Sequence, residues 1–244
     1  MSTIKPLLLF DLDGTLTPPR NPIESNMVNF LHEQKNKYSL AIVTGSDYIK
    51  VLEQVPKKDL EELFEYVFSE NGLVVHKQGK MIKCESIGSR MGEDFTQKLI
   101  NFILQMFSEI QLPKKRGTFV EYRNGLINVS PIGRSCSQSE RDEFFAYDKE
   151  HKIRENIVRR LKEEFGQDKL VFSIGGQISI DIYPVGWDKS FCLNHLKTTD
   201  FSVLHFFGDK TAPGGNDHEI FTDSRVQGHS VTGPNDTIEQ IKTL

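Results

Sequence analysis

Asp11 and Asp13 stand one residue apart at the end of an apolar run, in Phe10-Asp11-Leu12-Asp13-Gly14-Thr15-Leu16-Thr17. The run 6–10 reads as a short buried strand, and Gly14 marks its break. In open α/β sheets, ligands bind at the carboxyl ends of strands. Carboxylates placed there do two things well: they ligate a hard cation, and one of them can attack phosphorus to form an aspartyl phosphate. A solvated turn holding two acids is the plain alternative, since Asp and Gly are ordinary turn residues. The strand before the pair and the Gly-Thr-Leu-Thr after it favour a site. Polar groups also follow other apolar runs. Thr44, Ser46 and Asp47 follow 40–43, Lys189 opens a helical stretch, and Asp209-Lys210 and Asn216-Asp217 follow 203–207. A parallel sheet gathers its strand ends, so these groups converge on one cleft. Three acids there repel one another unless a cation such as Mg²⁺ joins them. Lys189 and the hydroxyl of Thr44 or Ser46 would then hold a transferring phosphoryl group.

The elements that must position these groups fall into two styles. From residue 1 to about 80, short apolar runs at 6–10, 40–43 and 66–68 alternate with helical segments at 24–34 and 47–52, which predicts a parallel sheet. The same style returns after Trp187, with a strand at 203–207 and a shorter one near 229–231. The stretch between differs. An apolar helical stripe runs along 94–110 through Phe95, Leu99, Phe102, Ile103, Met106 and Ile110. Asn124-Gly125 joins strands at 118–123 and 126–129, a strong hairpin signal. A long charged helical region led by Ser139 stops at Gly166. A second hairpin turns near Gly175-Gly176. The expected architecture is α/β: a Rossmann-like parallel-sheet core from residues 1–81 and 188–244, with an α+β cap containing an antiparallel sheet inserted at 82–187.

Composition narrows the functional classes. The 244 residues are 37% hydrophobic and 26% charged, as expected of a soluble globular protein. A net charge of −4 gives no electrostatic case for nucleic acid or an anionic membrane as partner. No apolar run approaches the length of a membrane span. Cys84, Cys136 and Cys192 are widely spaced and odd in number, which fits free thiols in a cytoplasmic protein. The seven histidines form no pair at ligand spacing, so zinc is not expected.

The cap carries the groups that would recognise a sugar phosphate. In Gln177-Ile178-Ser179-Ile180-Asp181-Ile182-Tyr183 the isoleucines alternate, leaving Ser179 and Asp181 on the open face, placed to hydrogen-bond sugar hydroxyls. Arg20, Arg123, Arg134 and Arg141 offer guanidinium groups, the side chain best suited to bidentate phosphate binding. Arg134 and Arg141 flank the small-residue loop Ser135-Cys136-Ser137.

Taken together, D-x-D-G-T at 11–15, the hydroxyl at Thr44, Lys189, and Gly208-Asp209 with Asp217 resemble the haloacid dehalogenase superfamily of phosphotransferases. Longer blocks are similar to the eukaryotic phosphomannomutase family: RGTFVEYRNG at 116–125, NVSPIGRSCSQ at 128–138, FSIGGQIS at 172–179, GWDK at 186–189 and FGDKTAPGGNDHEIF at 207–221. The resemblance implies that Asp11 is the phosphorylated nucleophile and Asp13 the general acid/base, with Lys189 beside them. It puts substrate contacts on Arg20, Arg123, Arg134, Arg141, Ser179 and Asp181. It puts Mg²⁺ on Asp11, the backbone of Asp13 and Asp209, and a second cation near Phe221 and Asp223. It implies interconversion of α-D-mannose 1-phosphate and mannose 6-phosphate, a hexose 1,6-bisphosphate of glucose or mannose as intermediate and activator, supply of GDP-mannose for glycosylation, and a homodimer formed through the cap near Phe119. A sugar-phosphate phosphatase or a phosphoglucomutase on the same scaffold is the alternative.

Overall fold

The strand-forming runs are apolar on both faces because both faces are buried. In β1 (Leu7–Phe10), Leu8 and Phe10 enter one hydrophobic cluster while Leu7 and Leu9 enter another on the opposite side of the sheet. The computed structural model describes residues 4–244. After β1 come α1 (Ser25–Gln34), β2 (Ser39–Val43), α2 (Tyr48–Gln54), α3 (Lys57–Leu63), β3 (Tyr66–Ser69), β4 (Val74–Lys77) and β5 (Lys80–Cys84). Next are α4 (Ile87–Met91), α5 (Glu93–Glu109), β6 (Val120–Tyr122), β7 (Ile127–Val129), α6 (Gln138–His151), α7 (Ile153–Phe165), β8 (Leu170–Gly175) and β9 (Ser179–Pro184). A 3-10 turn over Lys189–His195, β10 (Leu204–Gly208), α8 (His218–Phe221), β11 (Gln227–Ser230) and α9 (Pro234–Lys242) follow.

These elements form two compact units, one running up to Cys84 and resuming at Gly186, the other covering Glu85–Val185. The first is built on a seven-stranded sheet in the order β11-β10-β1-β2-β3-β4-β5. Its strands from β11 to β3 are parallel, whereas β4 and β5 add on as an antiparallel hairpin. That hairpin departs from the all-parallel expectation and carries the unit's first segment to Cys84 rather than to residue 81. Its turn is Gln78-Gly79, both at positive φ, and β5 is exposed along its whole length, so no apolar run advertised it. The chain leaves β1 towards β2 on one side and returns as β10 on the other. The switch point of the sheet therefore lies at the carboxyl end of β1, directly before Asp11.

The second unit holds a four-stranded antiparallel sheet in the order β6-β7-β9-β8. Ile127, Val129, Ile180 and Ile182 are buried on it, and α7 packs on β8 and β9. Leu99, Ile103 and Met106 of the α5 stripe are buried as their spacing predicts. The charged region expected as one helix is two. Lys152 adopts a left-handed conformation (φ 53) and ends α6, and α7 begins at the next residue. Asp148 makes the break: its carboxylate accepts from the Arg154 N–H (2.8 Å) and from Arg154 Nε (2.7 Å), both residues being buried. Arg154 Nη1 then donates to the carbonyls of Gly175 (3.2 Å) and Gly176 (3.0 Å), tying the helix pair to the β8–β9 turn. Among the described residues no helix is long and apolar enough to cross a membrane.

Candidate active site

Asp11 is the first residue past β1, and its N–H donates to the Phe207 carbonyl of β10 (2.9 Å). The chain then doubles back tightly, with the N–H groups of Leu16 and Thr17 both donating to the Leu12 carbonyl (3.0 Å each). Gly14 sits in this turn at φ +85, and a Cβ there would lie 2.6 Å from an Asp209 carboxylate oxygen. Only glycine permits both that backbone and that approach. Asp209 itself follows β10, so the carboxyl ends of two neighbouring strands bring Asp11 and Asp209 together. The loop after Asp209 closes on Asp217, whose carboxylate accepts from the Lys210 N–H (3.0 Å). A Cβ on Gly208 would meet that carboxylate at 2.7 Å, so this glycine too is fixed by close approach.

Between these acids stands Lys189, 1% exposed. The Asp188 side chain caps its 3-10 turn, accepting from the Ser190 N–H (2.9 Å). Lys189 Nζ donates to Asp217 (2.5 Å) and in a short contact to Asp11. Burial pushes the ammonium pKa down, but the two carboxylates more than offset it and hold it above the ordinary lysine value. Burial likewise raises Asp11, to about 6, against the pull of Lys189. Asp209 is raised for the same first reason, with Lys210 opposing.

Oxygen atoms of Asp11, Asp209 and Asp217 lie within 4.8 Å of one another. Three carboxylates around one ammonium leave an excess of negative charge, and like charges some 5 Å apart repel by about 3 kcal/mol at an effective dielectric of 20. The donors are all hard oxygens, without histidine or thiolate. That set fits a divalent cation of the Mg²⁺ kind.

The other expected site residues of this unit are placed as follows. Asp13 is half-buried, and its Oδ1 accepts from the Arg20 N–H (2.6 Å), while Arg20 is exposed. Thr44 is buried directly after β2, and its hydroxyl oxygen accepts from the Ser46 N–H (3.1 Å). Asp223 lies just past α8, where Arg225 donates to both of its oxygens (2.9 and 2.7 Å) and lowers its pKa. A cation at Asp223 and the Phe221 carbonyl would share that carboxylate with the guanidinium.

In the second unit a row of polar residues crosses one face of the antiparallel sheet. Glu121, Asn128, Asp181 and Ser173 stand opposite one another across four strands. Glu121 accepts from Arg123 Nη2 (2.5 Å) and lies 3.1 Å from Arg134 Nε. Arg141 Nη2 donates to the Arg134 carbonyl (3.0 Å), which places these two guanidinium-bearing residues side by side. The Ser179 hydroxyl donates to the Gly175 carbonyl (3.1 Å).

Over residues 27–244 the chain matches the sequence model of eukaryotic phosphomannomutase. It belongs to that family. Its relatives include a probable phosphomannomutase of Caenorhabditis elegans, 54% identical over 98% of this chain and 94% of that one. The phosphomannomutase of Triticum aestivum is 50% identical, again over 98% and 94%. Among solved structures, a trehalose-6-phosphate phosphatase of Aspergillus fumigatus superposes with a TM-score of 0.63 at 15% identity, covering 98% of this chain and 92% of that one. An IMP-nucleotidase of Plasmodium falciparum gives 0.58 at 16%, covering 100% and 69%. These two share the fold.

Within this family member, sequence reasoning left two residues without a role. Asp217 was read only as one of the polar groups at the strand ends, and its pairing with Lys189 was not foreseen. Asn128 was not singled out at all.

Proposed function

We propose that the chain interconverts α-D-mannose 1-phosphate and D-mannose 6-phosphate through an aspartyl phosphate on Asp11. The observation that supports this best is the buried Lys189 ammonium held between Asp11 and Asp217, beside Asp209, at the switch point of the sheet. Asp11, Asp209 and the Asp13 carbonyl would hold Mg²⁺, with Asp217 close by. Bound there, it would supply positive charge to the transferring phosphoryl oxygens.

Lys189 keeps Asp11 ionised and offers its charge to the phosphoryl group. Phosphorylated Asp11 donates its phosphoryl to the free hydroxyl of the bound monophosphate. The acyl-phosphate P–O bond breaks, a P–O bond to the sugar forms, and the hydroxyl proton passes to Asp13. The product is a hexose 1,6-bisphosphate and free Asp11. After the bisphosphate turns end for end, Asp11 attacks the other phosphorus and Asp13 returns the proton to the leaving oxygen. Asp13 suits this exchange because it is half-buried and makes no bond to Lys189. Thr44 is the better placed hydroxyl for the phosphoryl group: it is buried, and its own O–H remains available after its oxygen accepts from Ser46. Ser46 lies further along the loop. The cap arginines Arg123, Arg134 and Arg141 hold the non-reacting phosphate, Ser179 and Asp181 the sugar hydroxyls, and Arg20 is a further substrate contact.

The same reading makes a hexose 1,6-bisphosphate the activator that first charges Asp11, places the enzyme in the cytoplasm at the supply of GDP-mannose for glycosylation, and makes it a homodimer through residues 82–187. Purified protein is incubated with mannose 1-phosphate, Mg²⁺ and a trace of glucose 1,6-bisphosphate. Mannose 6-phosphate is the expected product; free phosphate without mannose 6-phosphate would replace the mutase with a phosphatase.

A further inference from the structure

Asn128 occupies the centre of the polar row on the antiparallel sheet and is only 3% exposed. Its neighbours on β7, Ile127 and Val129, face the apolar interior, so the alternation of the strand turns Asn128 to the same side as Glu121 and Asp181. Both ends of its amide are engaged. Oδ1 accepts from Arg134 Nη1 (2.6 Å), and Nδ2 donates to Asp181 Oδ1 (2.6 Å). Chemistry fixes that orientation, because a guanidinium only donates and a carboxylate only accepts.

We infer that Asn128 is a positioning residue for substrate binding: it stands between Arg134 and Asp181, keeps them from pairing with each other, and aims each at the ligand. The inference rests on the reading of Arg134 and Asp181 as substrate contacts. Without a spacer, a guanidinium and a carboxylate on one sheet face collapse into a bidentate pair that uses up both. With Asn128 between them, each spends one atom on a neutral partner. Arg134 is gripped through Nε by Glu121 and through Nη1 by Asn128, and its Nη2 takes no hydrogen bond among the described residues. Asp181 spends Oδ1 on Asn128, while its Oδ2 lies over Gly175, at 2.9 Å from where a Cβ would be. One donor and one acceptor are thus left pre-aimed, at little cost in side-chain entropy on binding.

The amide is the only ordinary group of this size that both accepts and donates here without charge. Asn128→Asp keeps the shape but sets a carboxylate against Asp181. Asp181 favours protonation of the new carboxyl and Arg134 opposes it, and once protonated the carboxyl again donates to Asp181 while accepting from Arg134. The expected result at pH 8 is a KM for mannose 1-phosphate about tenfold above wild type, with kcat within about threefold. As pH falls to 6, that KM should return towards the wild-type value. A general loss of structure would not produce this split or its recovery. Asn128→Ala serves where the Asp variant fails to fold, and should raise KM at every pH alike. Arg134→Gln and Asp181→Asn are measured in parallel. If neither raises KM, the substrate-contact reading itself is wrong. If both do and KM stays within twofold of wild type in the Asn128 variants, the positioning role alone is overturned.

Discussion

Asp11 is more costly to keep charged than any other carboxylate whose shift is described, and its replacement by asparagine makes that cost measurable. Its pKa rises from 3.8 to about 6 in the folded, metal-free protein, mainly because burial disfavours the charged form. At 1.36 kcal/mol per unit the shift amounts to about 3 kcal/mol. The folded state holds the Asp11 proton more tightly than the unfolded chain does. This contribution to stability is therefore full below pH 3.8, falls as pH rises, and is lost once pH passes about 6. The amide introduced by Asp11→Asn mimics the protonated carboxyl at every pH. In EDTA at pH 8 the variant should be more stable than wild type by about 3 kcal/mol, seen as a Tm roughly 6–12 °C higher. At pH 5 the advantage should shrink to about half, because folded wild type is by then mostly protonated. Adding Mg²⁺ should raise wild type more than the variant, while phosphoryl transfer by the variant is abolished. Thermal scans at the two pH values, with and without Mg²⁺, give the three stability differences, and a turnover assay gives the fourth outcome. A variant less stable than wild type in EDTA at pH 8, or a gap that does not change with pH, would refute the account of Asp11 as a charge strained by burial.

Two further substitutions test the same cluster from other sides. Lys189→Met leaves Asp11 and Asp217 buried without their shared cation, and should cost about 3–5 kcal/mol in urea unfolding without metal; a loss under 1 kcal/mol would mean that water reaches these carboxylates. Gly14→Ala puts a methyl 2.6 Å from the Asp209 carboxylate at a backbone φ of +85, so Asp209 must move. The Mg²⁺ concentration needed for half-maximal turnover should rise about tenfold, at a strain cost of about 1–3 kcal/mol. An unchanged requirement would remove Asp209 from the ligand set.

The core was legible in the sequence where burial on both faces makes a strand continuously apolar. The runs before Asp11, before Thr44 and before Asp209 are the clearest cases, and each announces a polar group at a strand end. The β4–β5 hairpin was not legible: β5 is an exposed edge strand and has no core to pattern it. The break at Lys152 was hidden because nothing in a charged helical stretch marks a left-handed lysine. It is set by Asp148 and Arg154, whose pairing depends on the β8–β9 turn that Arg154 also holds.

The polar row shows where local inference ends. Asn124-Gly125 as a two-residue hairpin loop pairs Arg123 with Leu126, which in turn sets Glu121 opposite Asn128. That half of the row could be counted out from the turn. Alternation along β9 likewise put Ser179 and Asp181 on one face. What no local signal supplies is that β7 pairs with β9 in the register that sets Asn128 opposite Asp181, because the strands are separated by two helices and β8. A shift of one residue would bury Asp181 against the isoleucines, so the hydrophobic face excludes odd slips but not a slip of two. The contacts of Asn128 with both Arg134 and Asp181 select among the remaining registers. The residue that separates the two proposed substrate contacts thus also favours the strand pairing that brings them together.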